Sequence, residues 1–265
     1  MPTAGNGASG SPIEVVLAAM QQRLDRIPPR LSHHQVFLST YQRTTQAVGE
    51  AIAMGQFEDP GWVERWDVAF AELYLTALDA ELTRDGRVSR PWRLAFAASP
   101  DLHPLRHVLL GINAHINYDL PQALLAVISD DDFSDSVLIE RRRQDHERID
   151  AVLSARVSAE DAELGGRRTL IDRLLNPLNR LASRRFLSEA RQKVWHNTLQ
   201  LRDARVSGAG TYGHRLAELE LLSAAKIVDL LQPGQVLLRL AVAGFGVTLP
   251  PPGDGQSTTQ DSLPG

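Results

Sequence analysis

The chain contains no cysteine, which excludes disulfide staples, thiolate metal ligands and cysteine nucleophiles. Lysine is nearly absent as well: Lys193 and Lys226 are the only two, and arginine supplies the rest of the 28 basic residues. That bias is the mark of a GC-rich genome and names no function. No stretch is apolar and long enough to cross a bilayer. The most apolar late run, Val236 to Val247, is short and holds Arg239. No signal peptide is legible in the polar, glycine-rich residues 1–10, so the expected location is the cytoplasm. The net charge of −4 gives no electrostatic footprint for nucleic acid. The basic clusters Arg141-Arg142-Arg143 and Arg184-Arg185 fall inside helical patterns and read as solvated faces. No P-loop, dinucleotide-binding fingerprint, nucleophile elbow or H-E-x-x-H is present.

What is present is helical periodicity in a chain of 265 residues, long enough for one domain with a sizeable core. Ser11-Pro12-Ile13-Glu14 opens a first helix with a capping box and proline in the first turn, and Pro28-Pro29 stops it. Further helices are expected over about Ser32–Met54, Pro60–Thr83, Arg90–Phe96 and from Pro104. Pro121 interrupts that last pattern, with a kink or a fresh start near Tyr118 to Leu120. Four more follow at about Ser136–Arg156, Arg167–Leu181, Ser188–Ala204 and His214–Leu231. No alternating strand pattern of useful length appears. The fold class is all-α: a compact antiparallel multi-helix bundle over residues 11–247, with a disordered lead-in (1–10) and a disordered Pro/Gly-rich tail (248–265).

In such a bundle, sites are built from side chains on facing helices. Polar residues on apolar stripes are the informative ones, because burying each unpaired costs roughly 1–3 kcal/mol. Gly111-Ile112-Asn113-Ala114-His115-Ile116-Asn117-Tyr118-Asp119 is the clearest place. His115 and Asp119 lie four apart on one helix face, and Gly111 leaves space above the imidazole. The pair can ligate a divalent ion or act as an acid/base couple with the carboxylate orienting the ring; equally, Asp119 can cap a restarted helix and His115 can be a satisfied core histidine. Asp145 and His146 fall on or beside the face of Leu138, Ile149 and Val152. Asp67 lies in line with Val63, Phe70 and Tyr74. Asn197 follows Ala190 and Val194 around an apolar face, as an interhelical amide. His103/His107, His146/Asp150 and His214/Glu218 repeat the i,i+4 spacing. Asp131-Asp132-Phe133-Ser134-Asp135 spells the D-D-x-x-D of class I terpene synthases, but it sits between two helices, where such runs cap, and no partner motif follows.

The decapeptide Gly111 to Leu120, with Asp67-Val68-Ala69-Phe70-Ala71, Tyr74, and Val194-Trp195-Asn197, resembles an actinobacterial all-helical domain-of-unknown-function family. More distantly, His115-x-x-x-Asp119 on a buried helix is similar to part of the zinc site of the phospholipase C and nuclease P1 group. That resemblance implies zinc ligation, although the N-terminal tryptophan and export signal of that group are not seen here.

These readings lead to an enzyme acting on a small, largely apolar molecule between helices, by hydrolysis or by cyclase or lyase chemistry. Catalytic candidates are His115, Asp119, Asp145 and Asn117; metal candidates are His115, Asp119, Asp67 and His146, for zinc, manganese or iron. The alternative is a non-catalytic helical module that binds a ligand or partner protein; a terpene-synthase-like enzyme using Asp131, Asp132 and Asp135 is a further one. A first prediction concerns the ends. Deleting residues 1–10 and 253–265 should leave the melting temperature unchanged within a degree or so, because glycine, serine and proline there bury no apolar surface. A large loss in a thermal melt would show that an end docks on the body.

Overall fold

The computed structural model describes residues 10–163, 177–234 and 244–252. The expected tails at 1–9 and 253–265, and most of the helix expected over Arg167–Leu181, lie outside them. Ten helices are seen among the described residues and no strand: α1 Pro12–Arg26, α2 His33–Ala53, α3 Pro60–Thr83, α4 Arg90–Phe96, α5 Pro104–Ala114, α6 Leu120–Val127, α7 Asp130–Ser134, α8 Ser136–Glu163, α9 Pro177–Ser207 and α10 Ala209–Leu231. None is long and apolar enough to cross a membrane.

Local chemistry explains the starts. Ser11 accepts from the Glu14 N–H while Glu14 accepts from the Ser11 N–H, and Pro12 fits the first turn of α1. Asp59 caps α3 through the Trp62 N–H at 2.9 Å. Ser129 and Asp132 form a capping box on α7, and Asp135 Oδ1 accepts from the N–H groups of Val137 and Leu138 at the start of α8. The aspartate-rich run is therefore a pair of helix starts, with Asp132 also paired to Arg142 at 2.7 Å.

Between α5 and α6 the backbone makes a π-helical turn, His115–Asp119. Proline at 121 cannot donate to the carbonyl four residues back. The wider turn absorbs that lost register, so the chain continues into α6 instead of breaking. Two boundaries also differ from expectation. Residues 182–187 continue the helix, so α9 is one long element, and a single residue, Gly208 (φ 130°), joins it to α10. The segment 244–252, in part assigned to the tail, is an extended strap packed on the bundle: Phe245 and Leu249 are buried. Alternating apolar residues give that short segment a side to bury, which outweighs the prolines that follow.

α3 is the central rod. It packs against α1 and α6, with α2 alongside; α5 packs on α2, and α4 is held between α10 and α5. Trp62, Trp66 and Tyr74 of α3, Trp92 of α4 and Leu38 of α2 are all 2% exposed or less. Aromatic groups of this size dominate the apolar area removed from water. Arg106 of α5 donates to the carbonyls of Leu230 and Gln232, at 2.7 Å each, satisfying the open end of α10.

Gly111 has a steric reason. A Cβ there would lie 2.3 Å from Phe37 Cδ2. The space expected over His115 is thus filled by the Phe37 ring, which meets the imidazole edge-on at 6.1 Å. Gly111→Ala should destabilise the fold by about 1–3 kcal/mol, read as a drop of several degrees in a thermal melt. Pairing it with Phe37→Leu should recover part of the loss; an unchanged melting temperature in the single variant would mean that Phe37 does not occupy that space.

Candidate functional site

The π turn places His115 Nδ1 2.8 Å from Asp119 Oδ2, with both side chains buried. The same oxygen accepts from Trp92 Nε1 at 2.7 Å. Phe70 of α3 stacks flat on the imidazole, centroids 3.5 Å apart and planes within 6°. Tyr41 stands edge-on at 4.6 Å, and Tyr74 and Trp92 close the surround at 5.8 Å each. Burial pushes the imidazole pKa down, against the pull of Asp119, and pushes the carboxyl up, against His115 and Trp92. Both directions oppose a separated imidazolium–carboxylate pair. Of the four i,i+4 histidine pairs, this is the one that bonds directly among the described residues. His103 caps α5 instead, His146 and Asp150 are bridged by Arg191, and Glu218 pairs with Arg215 at 2.5 Å.

Both bonds to Asp119 fall on Oδ2, and Asp119 also lines a groove of about 490 Å³. Ala69, Leu73 and Ala77 of α3 and Ala123 and Ala126 of α6 give the groove apolar surface; Glu72, Arg87, Ser89 and Gln122 give it polar groups. Trp92 and Tyr118 line it too. Burial raises the Tyr118 phenol, and Glu220 and Asp119 add to the rise.

The other candidates are placed elsewhere. Asp145 is fully buried, but its oxygens accept from the backbone N–H groups of Glu58 and Asp59 at 2.9 and 2.8 Å, and Arg148 adds 2.7 Å. It ties α8 to the start of α3 and faces no groove residue. Asn117 donates to Asn113 Oδ1 and the Phe245 carbonyl, and its own carbonyl accepts from the Val247 N–H. Asn197 grips the same strap, donating to Val247 O at 2.9 Å and accepting from the Leu249 N–H at 2.8 Å. Both asparagines thus supply an extended segment with the hydrogen bonds a neighbouring strand would give. His146 lies between Trp66 and Trp195, with Arg191 at 3.4 Å from Nε2. Burial holds it well below its ordinary pKa, with help from Arg191.

Asp67 is buried with Oδ2 unbonded. Desolvation, with repulsion from Glu64, raises its pKa to about 7. The Tyr41 and Tyr74 hydroxyls and His115 Nε2 are likewise buried and unbonded. The metal set His115, Asp119, Asp67 and His146 does not converge: among the described residues no three His, Asp or Glu side chains are positioned around one ion. Sequence reasoning missed the adjacent His33-His34, whose rings gather with His107. The adjacency was visible in the sequence, but the contact with α5 was not.

Asp67 gives a pH prediction. Its folded pKa, about 7, lies above the ordinary 3.8, so the folded state holds a proton that the unfolded state has released. Its contribution to stability is full below about pH 4 and is lost as pH rises to about 7. Asp67→Asn removes that dependence. The melting temperature of the variant minus that of the natural protein should therefore climb from pH 4 to pH 7 and level off above. A constant difference would mean that the carboxyl is ionised throughout.

No curated protein and no solved structure matches the chain. One family model does, over residues 13–233, taking in the π turn, both asparagines and the groove but ending before the strap. The chain therefore belongs to the family of unknown function DUF5995.

Proposed function

We propose that this protein is an enzyme that binds a small, largely apolar molecule in the groove between α3, α4 and α6 and moves a proton at Asp119. One observation carries the reading: Asp119 lines the groove while its Oδ2 is fixed by both His115 and Trp92. A carboxyl held at one oxygen by two donors keeps its orientation, and burial raises its proton affinity. Such a group is suited to general acid/base work near neutral pH. His115 is a positioning residue: its Nδ1 sets the carboxyl and takes up charge as the proton arrives or leaves. The alanine and leucine walls admit an apolar body, and Arg87 and Ser89 offer a polar end. Elimination or cyclisation needs only this proton and a dry wall, so it fits better than hydrolysis, which needs a water activated by the same carboxylate. A divalent ion has no part in this reading, because the bonding atoms of His115 and Asp119 face each other.

A specific observation also supports the non-catalytic reading: Trp92, Asp119 and His115 satisfy one another at Oδ2 without any ligand. The experiment separates the two. A thermal-shift screen with small apolar acids, alcohols and esters, followed by product detection by nuclear magnetic resonance, should find compounds that stabilise the natural protein and are turned over. Ala126→Trp, an exposed change in the groove wall, should abolish their binding. Asp119→Asn should retain binding and lose turnover by about 10²–10⁴-fold. His115→Gln should lower kcat and displace the pH profile. Turnover by Asp119→Asn at the natural rate, or binding that Ala126→Trp leaves intact, overturns the proposal. Strong coupling of His115→Ala and Asp119→Asn in melting temperature, with no compound turned over, establishes the structural module instead.

A further inference from the structure

Three consecutive side chains of the π turn serve three different places. Asn117 grips the strap, Tyr118 lines the groove and Asp119 carries the dyad. The turn is closed by the Leu120 N–H, which donates to the His115 carbonyl five residues back. Turns of this width are rare and occur as single insertions within α-helices. No side chain caps this one, so its shape rests on what its own side chains meet.

The strap is what Asn117 meets. The side chain is buried and its amide is fully used. Nδ2 donates to Asn113 Oδ1 at 3.0 Å and to the Phe245 carbonyl at 3.3 Å, while Oδ1 accepts from the Val247 N–H at 3.3 Å. Two of these three bonds depend on the strap, and a buried amide that loses them is left short of partners. The strap is seated from its other side as well. Asn197 brackets the Val247 carbonyl and the Leu249 N–H, Lys193 donates to the Gly246 carbonyl at 3.3 Å, and Arg215 donates to the Pro250 carbonyl at 2.6 Å. Gly246 lies so close to α9 that a Cβ would stand 2.8 Å from Lys193 Cδ and 3.2 Å from Ala190 Cα. Leu249 joins Leu125 of α6, Leu201 of α9 and Leu219 of α10 in a small apolar cluster, and Tyr118 packs on the same cluster. The strap thus meets the turn twice, by hydrogen bonds at residue 117 and through packing at residue 118. Residue 119 follows next.

We propose that residues 244–250 position Asp119: by fixing Asn117 and Tyr118, the strap holds the π turn in the register that gives Asp119 both its donors and a face on the groove. The proposal rests on the reading of Asp119 as the proton-carrying group. Asn117 is a positioning residue, since the groove is lined by Tyr118 and Asp119 and not by Asn117. A reacting group is only as well oriented as the shell that supports it. Loosening the strap loosens the turn, and with it the fixed carboxyl, while every groove residue stays the same.

Two substitutions in the strap test this. Leu249→Ala weakens its burial, and Gly246→Val lifts it off α9; neither changes a residue of the turn or the groove. Nuclear magnetic resonance of the full chain, labelled with nitrogen-15, reads the proton between His115 Nδ1 and Asp119 and the Trp92 indole N–H. In both variants the first should exchange with water at least tenfold faster and the second should shift, while the unbonded Trp62 indole at the start of α3 stays in place. Leu249→Met should restore the natural signals. Met20→Ala opens a cavity where α1 packs on α2 and α3; it should lower the melting temperature and move neither proton. Unchanged dyad signals in both strap variants overturn the proposal, and so does an equal response in Met20→Ala. With a compound that the natural protein turns over, Leu249→Ala should lower kcat at least tenfold with little change in KM, and an unchanged kcat overturns it too. If the dyad signals respond but no compound is turned over, the hold of the strap on Asp119 stands and the assignment of proton transfer falls.

Discussion

Asp119 Oδ2 is the point on which the middle of the molecule depends. It takes the Trp92 indole N–H from α4 and bonds His115 Nδ1 across the π turn, where water is excluded. α4 has only seven residues, too few to be stable alone, and Trp92 is its deepest anchor. His115 in turn lies flat on Phe70 of α3. One oxygen therefore links the short helix, the irregular turn and the central rod. Losing either donor leaves a buried polar group unsatisfied, which costs more than the bond itself contributes.

The buried polar groups fall into two sets according to whether backbone was available to them. Asp145 meets the free N–H groups before α3, and Asn117 and Asn197 meet the exposed peptide groups of the strap. Helix starts and extended segments are where backbone lacks internal partners, so polar side chains aimed there are satisfied and act as joints. Asp67, Tyr74 and His115 sit on helices whose backbone is already paired. Their unbonded atoms remain where no structural joint is made, and natural proteins keep such atoms when function requires them.

Helix starts were the most legible part of the chain, because they are written locally: Ser11-Pro12 and Asp59-Pro60 each combine a side-chain cap with a first-turn proline, while Ser89-Arg90-Pro91 has the proline but no capping bond. The His115–Asp119 contact was legible for the same reason, as both residues lie on one turn. What resisted was everything set by contact between distant segments. Asp145 looked like a site residue because it is apolar-faced; its partners at Glu58 and Asp59 lie more than eighty residues away. Asn117 looked like part of a polar wall until the strap arrived beside it. The strap beyond Val247 reads as tail because Pro250-Pro251-Pro252 dominates its composition, while Leu249 there is buried. Residues 182–187 fall between two helices expected from the sequence, yet they are helical and belong to α9.

The two histidine sites differ in what sits behind the ring, and that difference assigns their chemistry. His115 has a carboxylate on one nitrogen and an aromatic face on one side. A proton can be passed to or from that pair with little movement, because the charge that forms on one partner is met by the other. Around His34 and His107, burial and the neighbouring histidines lower proton affinity instead. A proton is therefore poorly held there. Carboxylate-backed imidazole thus suits proton handling in this helical body, and histidine-backed imidazole does not.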